Sequence, residues 1–295
     1  MVYAQQLIKN ASPKNASHKS TSPKNGNPKN ASASGRRFGL PIEKALSCEK
    51  NVHHSIREYP ESIQRLIGSL RAVSLTTPEQ IGALIAAANV SAYDLIPWAD
   101  FSHSLLDSYG RKMVYYGGHF EIMAMSWVPG DFSAIHDHGH TQWGAVQCFG
   151  EADHFTYTFE RGEFGQGVLK RPMPAHYQRG DIRVVDHDTV HQMGNGGTKP
   201  FLSLHVYGCA QPEASITANA RVFDLLEESV QFTDGGVFFC LPEHKIERRE
   251  YGLQGDADTV AMQHVLMRNR IQRMLEVSSD YLLEKKLAML ERRLR

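Results

Sequence analysis

Apolar positions along the chain change rhythm three times. Between about Pro41 and Leu106 they follow a helical period: Ile63, Leu66, Ile67, Leu70 and Val73, opened by Pro60-Glu61, fall at i, i+3, i+4 and i+7. Thr77-Pro78-Glu79-Gln80 has the form of an N-cap with proline at the first helical position, and it leads into Ile81, Leu84, Ile85 and Val90. Pro97-Trp98 ends this block. From about Val114 to Phe239 the apolar runs become short and are punctuated by Gly, Asp and Asn. Expected strands lie at Phe120 to Trp127, Trp143 to Phe149, Phe155 to Phe159, Ile182 to Val185, Phe201 to Tyr207, Arg221 to Leu226 and Gly236 to Cys240. Short, evenly spaced strands with turn residues between them predict an antiparallel sandwich or barrel. After Gly255 the helical period returns through Val260, His264-Val265 and Leu275 to Leu282, Leu283, Leu287, Leu290 and Leu294. That pattern predicts a long amphipathic helix or helix pair, packed on the barrel or on a second subunit.

The first 36 residues have none of these rhythms. Pro-Lys-Asn recurs at positions 13, 23 and 28 amid Ser, Ala and Gly. So little apolar surface does not offset the entropy of ordering, and a disordered leader is expected. The expected organisation is therefore a leader over 1–36, a helical segment over 37–108, a β-barrel over 109–251 and a helical tail over 252–295.

Composition narrows the function classes. Lys+Arg and Asp+Glu each number 32, so there is no global basic field for nucleic acid or an anionic membrane. No apolar run approaches the roughly 18 residues a membrane helix needs. The four cysteines, Cys48, Cys148, Cys209 and Cys240, lie far apart with no CxxC pair. This argues against a disulfide scaffold or zinc ribbon and suits a reducing, cytoplasmic setting. Histidine is the unusual count: of 15, 10 fall between His103 and His205.

Those histidines carry the candidate chemistry. His136 and His138 are two apart, so on an extended chain both rings point to one face. Two imidazoles on one face can share a metal at about 2 Å if a third ligand converges, and His191 is the candidate third. His140, His154, His176 and His187 are less constrained and read as surface or supporting residues.

The two histidine stretches resemble the paired motifs of the cupins. Gly130, His136, His138 and Gly150 keep the spacing of the first motif, with Trp143 in the slot that usually holds Glu. Gly180, His191 and Asn195 keep that of the second, although Asp186 and Asp188 replace its usual Pro and Gly. The resemblance implies a mainly β fold, the double-stranded β-helix or jelly-roll barrel, with helices before and after it. Three neutral imidazoles without a carboxylate leave a 2+ ion uncompensated and favour an anionic ligand such as a thiolate.

A narrower resemblance is to the cysteine dioxygenase family, whose iron is held by three histidines. Ile135-His136-Asp137-His138 is similar to the family's ligand segment, preceded by Trp127 at the matching interval. Ser203-Leu204-His205-Val206-Tyr207 is similar to its Ser-x-His-x-Tyr relay, and Tyr109-Gly110-Arg111 to the Tyr-x-Arg that clamps the substrate carboxylate. The likeness spans about Tyr109 to Phe239. It implies Fe(II) on His136, His138 and His191, substrate contacts from Arg111 and Tyr109, and catalytic support from Tyr207, His205 and Ser203. One departure is Trp143: mammalian members place there a cysteine cross-linked to the relay tyrosine, and many bacterial members a glycine. The bulk of Trp143 is accordingly expected to border the substrate pocket.

The resemblance implies a non-haem Fe(II) thiol dioxygenase of sulfur amino acid metabolism. It would add both atoms of O2 to the sulfur of L-cysteine, or a related small carboxylated thiol, to give a sulfinic acid. Arg111 favours a cysteine-like substrate, since enzymes acting on 3-mercaptopropionate typically carry Gln there. The alternatives are another metal-dependent cupin enzyme with a different substrate, and a non-catalytic binding or regulatory cupin. The expected partners are a small thiol and O2, without nucleic acid or membrane, and with a possible homo-oligomer through the helical tail.

Overall fold

The computed structural model describes residues 56–73, 77–162, 167–170, 174–210 and 215–295. The expected leader, the first part of the helical segment and Cys48 lie outside the described residues. The chain opens with two helices, α1 (Glu61–Ala72) and α2 (Pro78–Ala88), as their periodicity predicts. Thr77 and Gln80 form a reciprocal capping box at the start of α2, which satisfies two of its otherwise unpaired backbone donors. Asn89 closes the same helix in the left-handed conformation. A 3-10 turn over Ala92–Trp98 follows.

Thirteen strands come next among the described residues. One sheet is ordered β1-β2-β9-β3-β7, comprising β1 (Gly110–Tyr116), β2 (Phe120–Trp127), β3 (Trp143–Cys148), β7 (Ile182–Asp186) and β9 (Phe201–Gly208). A second is ordered β13-β5-β4-β6, with β4 (Ala152–Arg161), β5 (Gly167–Lys170), β6 (Ala175–Tyr177) and β13 (Leu253–Gly255). The strand β8 (Val190–Gly194) pairs with β4. A third sheet joins β10 (Ala218–Asp224), β11 (Ser229–Asp234) and β12 (Arg248–Tyr251). All pairings are antiparallel except β13 with β5. With crossovers between the faces, this is the cupin double-stranded β-helix.

Two departures from the sequence reading have simple causes. Residues 236–240 are not a strand; the strand is β11, just before them, and Gly235 turns the chain with φ 87°. The histidine segment around His136 is extended but joins the sheets through isolated bridges, Phe132 to Gly194 and His136 to His191 and Val222. Both histidine rings nevertheless reach one side, 5.2 Å apart between centroids.

Two apolar cores sit on opposite faces of the five-stranded sheet. Ile63, Leu66 and Ile67 of α1 and Ile81 and Ile85 of α2 are fully buried against its outer face, with Ile122, Leu204 and Val206. Each such burial stabilises by about 1.5–3 kcal/mol. The inner core fills the barrel and extends to two C-terminal helices, α3 (Ala257–Leu275) and α4 (Tyr281–Arg293). Met262, Leu266, Ile271, Leu283 and Leu290 supply their buried face. Among the described residues no single helix is long and apolar enough to cross a membrane.

A buried ionic node fastens the segment before β1. His103 Nε2 lies 3.0 Å from Asp131 Oδ2, whose other oxygen faces Arg273 of α3 at 3.4 Å. Burial works against the charged imidazole, but the hydrogen bonds to Asp131 and the Ser104 carbonyl prevail and raise the His103 pKa. A raised folded-state pKa adds stability that is full below the unfolded value near 6.5 and is lost as pH rises through the folded value. His103→Gln is therefore expected to cost about 1–3 kcal/mol at pH 6 and less at pH 8. Urea titrations at the two pH values check this, and an equal loss at both would contradict it.

Candidate metal centre

The three predicted histidines meet inside the barrel. An antiparallel bridge ties their backbones, with His136 N–H donating to His191 O and His191 N–H to His136 O, each at 2.9 Å. One ligand atom from each of His136, His138 and His191 lies within 4.8 Å of the others, and all three residues are buried. Ring nitrogens Nε2 of His136 and His191 face one another at 3.2 Å. Two nitrogens on one metal, each about 2.1 Å away, at angles between 90° and tetrahedral, would stand about 3.0–3.4 Å apart.

Hydrogen bonding sets the free lone pairs. His136 Nδ1 lies 2.9 Å from the Ala134 carbonyl, which only accepts, so Nδ1 carries the proton and Nε2 is left bare toward the centre. Buried His138 has only a contact with the Thr189 backbone on one ring nitrogen, and the other nitrogen has no partner. A buried ring nitrogen without a partner is costly, and a metal ion at the centre would satisfy it. Burial holds His136 neutral, with its pKa lowered to about 4, and holds His138 and His191 well below the usual range with help from the neighbouring imidazoles. Neutral rings are the ligating form. The residues present therefore fit a metal ion.

Residues behind the ligands complete the centre. Asp137, between the first two histidines, pairs with the Arg221 guanidinium and accepts the Arg221 backbone N–H at 2.7 Å, fixing the segment to β10. His154 on β4 places Nε2 2.9 Å from Nδ1 of His191. The sequence reading left His154 among residues that are either surface or supporting, because the β4–β8 register that sets it beside His191 is not visible in one strand. Gln192 next to the ligand donates to the Ser133 carbonyl at 2.7 Å and accepts from Gln263 of α3 at 2.7 Å.

Ser203, His205 and Tyr207 alternate along β9 toward the same cavity, and their contacts have a direction. Trp127 Nε1, a donor only, gives its proton to Ser203 Oγ at 2.8 Å. The Ser203 hydroxyl proton then has one acceptor among its described contacts, His205 Nε2 at 2.8 Å. Nδ1 of neutral His205 must carry the ring proton, and it donates to Tyr207 Oη at 2.8 Å. Burial lowers the His205 pKa to about 3 and raises that of Tyr207 well above 10. The phenol thus keeps its own proton free to donate into the cavity.

Arg111 and Tyr109 line that cavity too, together with the histidines and Tyr207. Tyr109 stacks on Trp127 with centroids 4.6 Å apart. Arg111 donates to Thr217 Oγ1 at 3.3 Å, and it makes no carboxylate ion pair within 4.0 Å among the described residues.

Trp143 is placed otherwise than expected. It does not line the cavity; its indole lies on the outer face of the sheet, in the core with α1 and α2. Strand register is the cause: Trp143 pairs with Gly208 and Gly144 with Tyr207, so the pleat sends residue 144 inward. A side chain at Gly144 would put its Cβ 2.8 Å from the Tyr207 ring, while Gly208 leaves the space that the indole fills. Glycine, not tryptophan, therefore faces the relay tyrosine.

His154 offers a direct test of this support for the third ligand. His154→Phe is expected to weaken metal retention about 10–100-fold, and His154→Gln, whose amide can still hydrogen-bond His191 Nδ1, to restore most of it. Metal dissociation followed with a chromogenic chelator checks both. Equal retention by wild type and His154→Phe would remove His154 from the centre.

A double-stranded β-helix protein from Klebsiella pneumoniae subsp. pneumoniae MGH 78578 is 20% identical, with a TM-score of 0.31, covering 42% of this chain and 93% of that one. A cupin-like protein from Thermotoga maritima is 13% identical, with a TM-score of 0.26, covering 34% and 68%. The oxalate decarboxylase of Lactobacillus farciminis is 14% identical, with a TM-score of 0.28, covering 36% of this chain and 30% of that one. The family model for cysteine dioxygenase type I matches residues 57–218, more than half of the sequence, including His136, His138, His191, His154, Arg111 and the Ser203–His205–Tyr207 chain, and the chain belongs to that family.

Proposed function

We propose that the protein is an Fe(II)-dependent thiol dioxygenase that converts L-cysteine, or a closely related carboxylated thiol, to its sulfinic acid. The observation that carries this reading is one small cavity shared by three neutral histidines, the Tyr207 hydroxyl and the Arg111 guanidinium, which has no carboxylate partner within 4.0 Å among the described residues. A ferrous ion held by His136, His138 and His191 would supply the electrons and open positions that activate O2. A reducing, cytoplasmic setting suits both that ion and the free thiols of Cys148, Cys209 and Cys240.

The chain's own residues bind and orient. The planar Arg111 guanidinium can take a carboxylate bidentately. The Tyr109 hydroxyl, with its pKa raised to about 12 by burial, stays protonated beside it. Because the histidines bring no negative charge, the centre favours the substrate as thiolate. Tyr207, with its proton fixed outward by the Trp127–Ser203–His205 chain, donates to the group undergoing oxidation. The stoichiometry closes without a further reductant, since a thiol plus O2 equals a sulfinic acid.

The direct test is oxygen uptake by the iron-loaded protein. One O2 is expected per L-cysteine consumed, with sulfinate as product and slower uptake with 3-mercaptopropionate. An iron-replete protein that consumes no O2 with any thiol would refute the proposal. Arg111→Ala is expected to raise KM for cysteine about 10–100-fold, from the loss of a charge-assisted hydrogen-bond pair, with iron content unchanged. Steady-state oxygen electrode kinetics beside iron analysis separates the two effects.

A further inference from the structure

The cavity holding the histidines has room of about 30 Å³, enough for about two water-sized groups. That accommodates a sulfur and its immediate neighbours rather than an entire amino acid. A second cavity of about 720 Å³ lies against it, within the size range of small-molecule sites, about 300–1,000 Å³. Arg111 is the one residue that lines both. The partition is completed by the stretch after β11, which alternates between them: Gly235 and Val237 face the inner cavity, while Asp234, Gly236 and Phe238 face the outer one.

The outer walls come from the chain's own C-terminal region. Apart from Leu106, Asp107 and Arg111, every lining residue follows position 218, outside the stretch that matches the family. Met274 of α3 and Leu283 and Met289 of α4 form an apolar side. Lys245 and Lys285 add positive charge, while three of the five carboxylates there are engaged: Glu227 with Lys286, Glu243 with Arg249, and Asp280 as the cap of α4.

We infer that the outer cavity is a substrate subsite, and that the thiol it admits is a cysteine extended through its carboxyl group, as in a short peptide with cysteine at its amino end. This rests on the thiol-oxidising reading above and goes beyond it in naming the substrate class. The sulfur enters the histidine pocket and the carbonyl of the cysteine meets Arg111 at the partition. Whatever is attached to that carbonyl continues into the outer cavity, where a terminal carboxylate meets Lys245 and Lys285. In free cysteine the same Arg111 contact ends the molecule, and the outer cavity goes unused.

The experiment compares L-cysteine with cysteinylglycine on the iron-loaded protein, in wild type, Gly236→Phe and Lys285→Glu. Gly236 faces the outer cavity, and a Cβ there meets only the Phe238 ring, at 3.4 and 3.6 Å, so an added side chain can project into open space. Lys285 is exposed, which leaves folding untouched. Anaerobic titration calorimetry reads binding, and an oxygen electrode reads turnover. Cysteinylglycine is expected to bind wild type within threefold of cysteine or more tightly. Gly236→Phe is expected to weaken the peptide at least tenfold and cysteine less than threefold, and Lys285→Glu to weaken the peptide alone. Binding of cysteine without binding of the peptide would overturn the inference, as would a peptide affinity that neither substitution changes. Binding of both thiols without oxygen uptake would overturn the dioxygenase reading and leave the subsite standing. Binding of neither would overturn both.

Discussion

Everything in the barrel's interior answers to three imidazoles whose bare nitrogens converge without protein partners. Buried polar groups normally find hydrogen bonds, and leaving one unsatisfied costs about 1–3 kcal/mol. Here the His136–His191 backbone bridge brings two ring nitrogens to 3.2 Å, and His138 joins them with one ring nitrogen left without a partner. Such a cluster persists only when its surroundings over-determine it. The Ala134 carbonyl fixes one tautomer, His154 stands behind the third ligand, and the Asp137–Arg221 pair prevents the ligand segment from rotating away. The fold holds lone pairs in place at a cost that a bound cation offsets.

The relay on β9 follows the same economy of donors. Trp127 cannot accept, so its single proton orders the chain through Ser203 and His205 to Tyr207. If the direction ran the other way, the Tyr207 proton would be spent on His205, and the phenol would present only lone pairs to the cavity. Neutrality of His205, imposed by burial, is what keeps a single direction available. The stacked Tyr109 ring holds the Trp127 indole in line from the other side, linking the relay to the residues that flank Arg111.

Most of this was legible where chemistry and local geometry coincide in sequence. The helix periods, the N-cap at Thr77, the two-residue spacing of His136 and His138, and the alternation of Ser203, His205 and Tyr207 are all local patterns that survive folding. What escaped depends on register between distant strands. His154 becomes important because β4 lies beside β8, with Thr156 opposite His191. Trp143 moved from the pocket to the outer core because β3 pairs with β9 at one register and not its neighbour, and a one-residue slip reverses every side chain. Counting back from Gly150 selects position 143, whereas the pleat selects position 144. The turn at Gly235 likewise shifted the last expected strand forward to β11, since composition marks an apolar run but not the side of a turn on which it pairs.

The same register argument explains how a family core acquires a setting of its own. The interior faces of β2, β3 and β9 are committed to the histidine cavity, so little can vary there without disturbing ligands or relay. The segment that leaves β11 divides the two cavities: Gly235 and Val237 complete the inner wall, while Asp234 and Gly236 face outward and Phe238 packs on the Tyr109 ring from the outer side. Helices α3 and α4 are anchored to the barrel by Met262, Leu266, Ile271, Leu283 and Leu290, and through Gln263 to the residue beside the third ligand. They thus stand at a fixed distance over Arg111. The two cavities thus lie on opposite sides of one partition and share only Arg111 among their lining residues, with the helices walling the outer side.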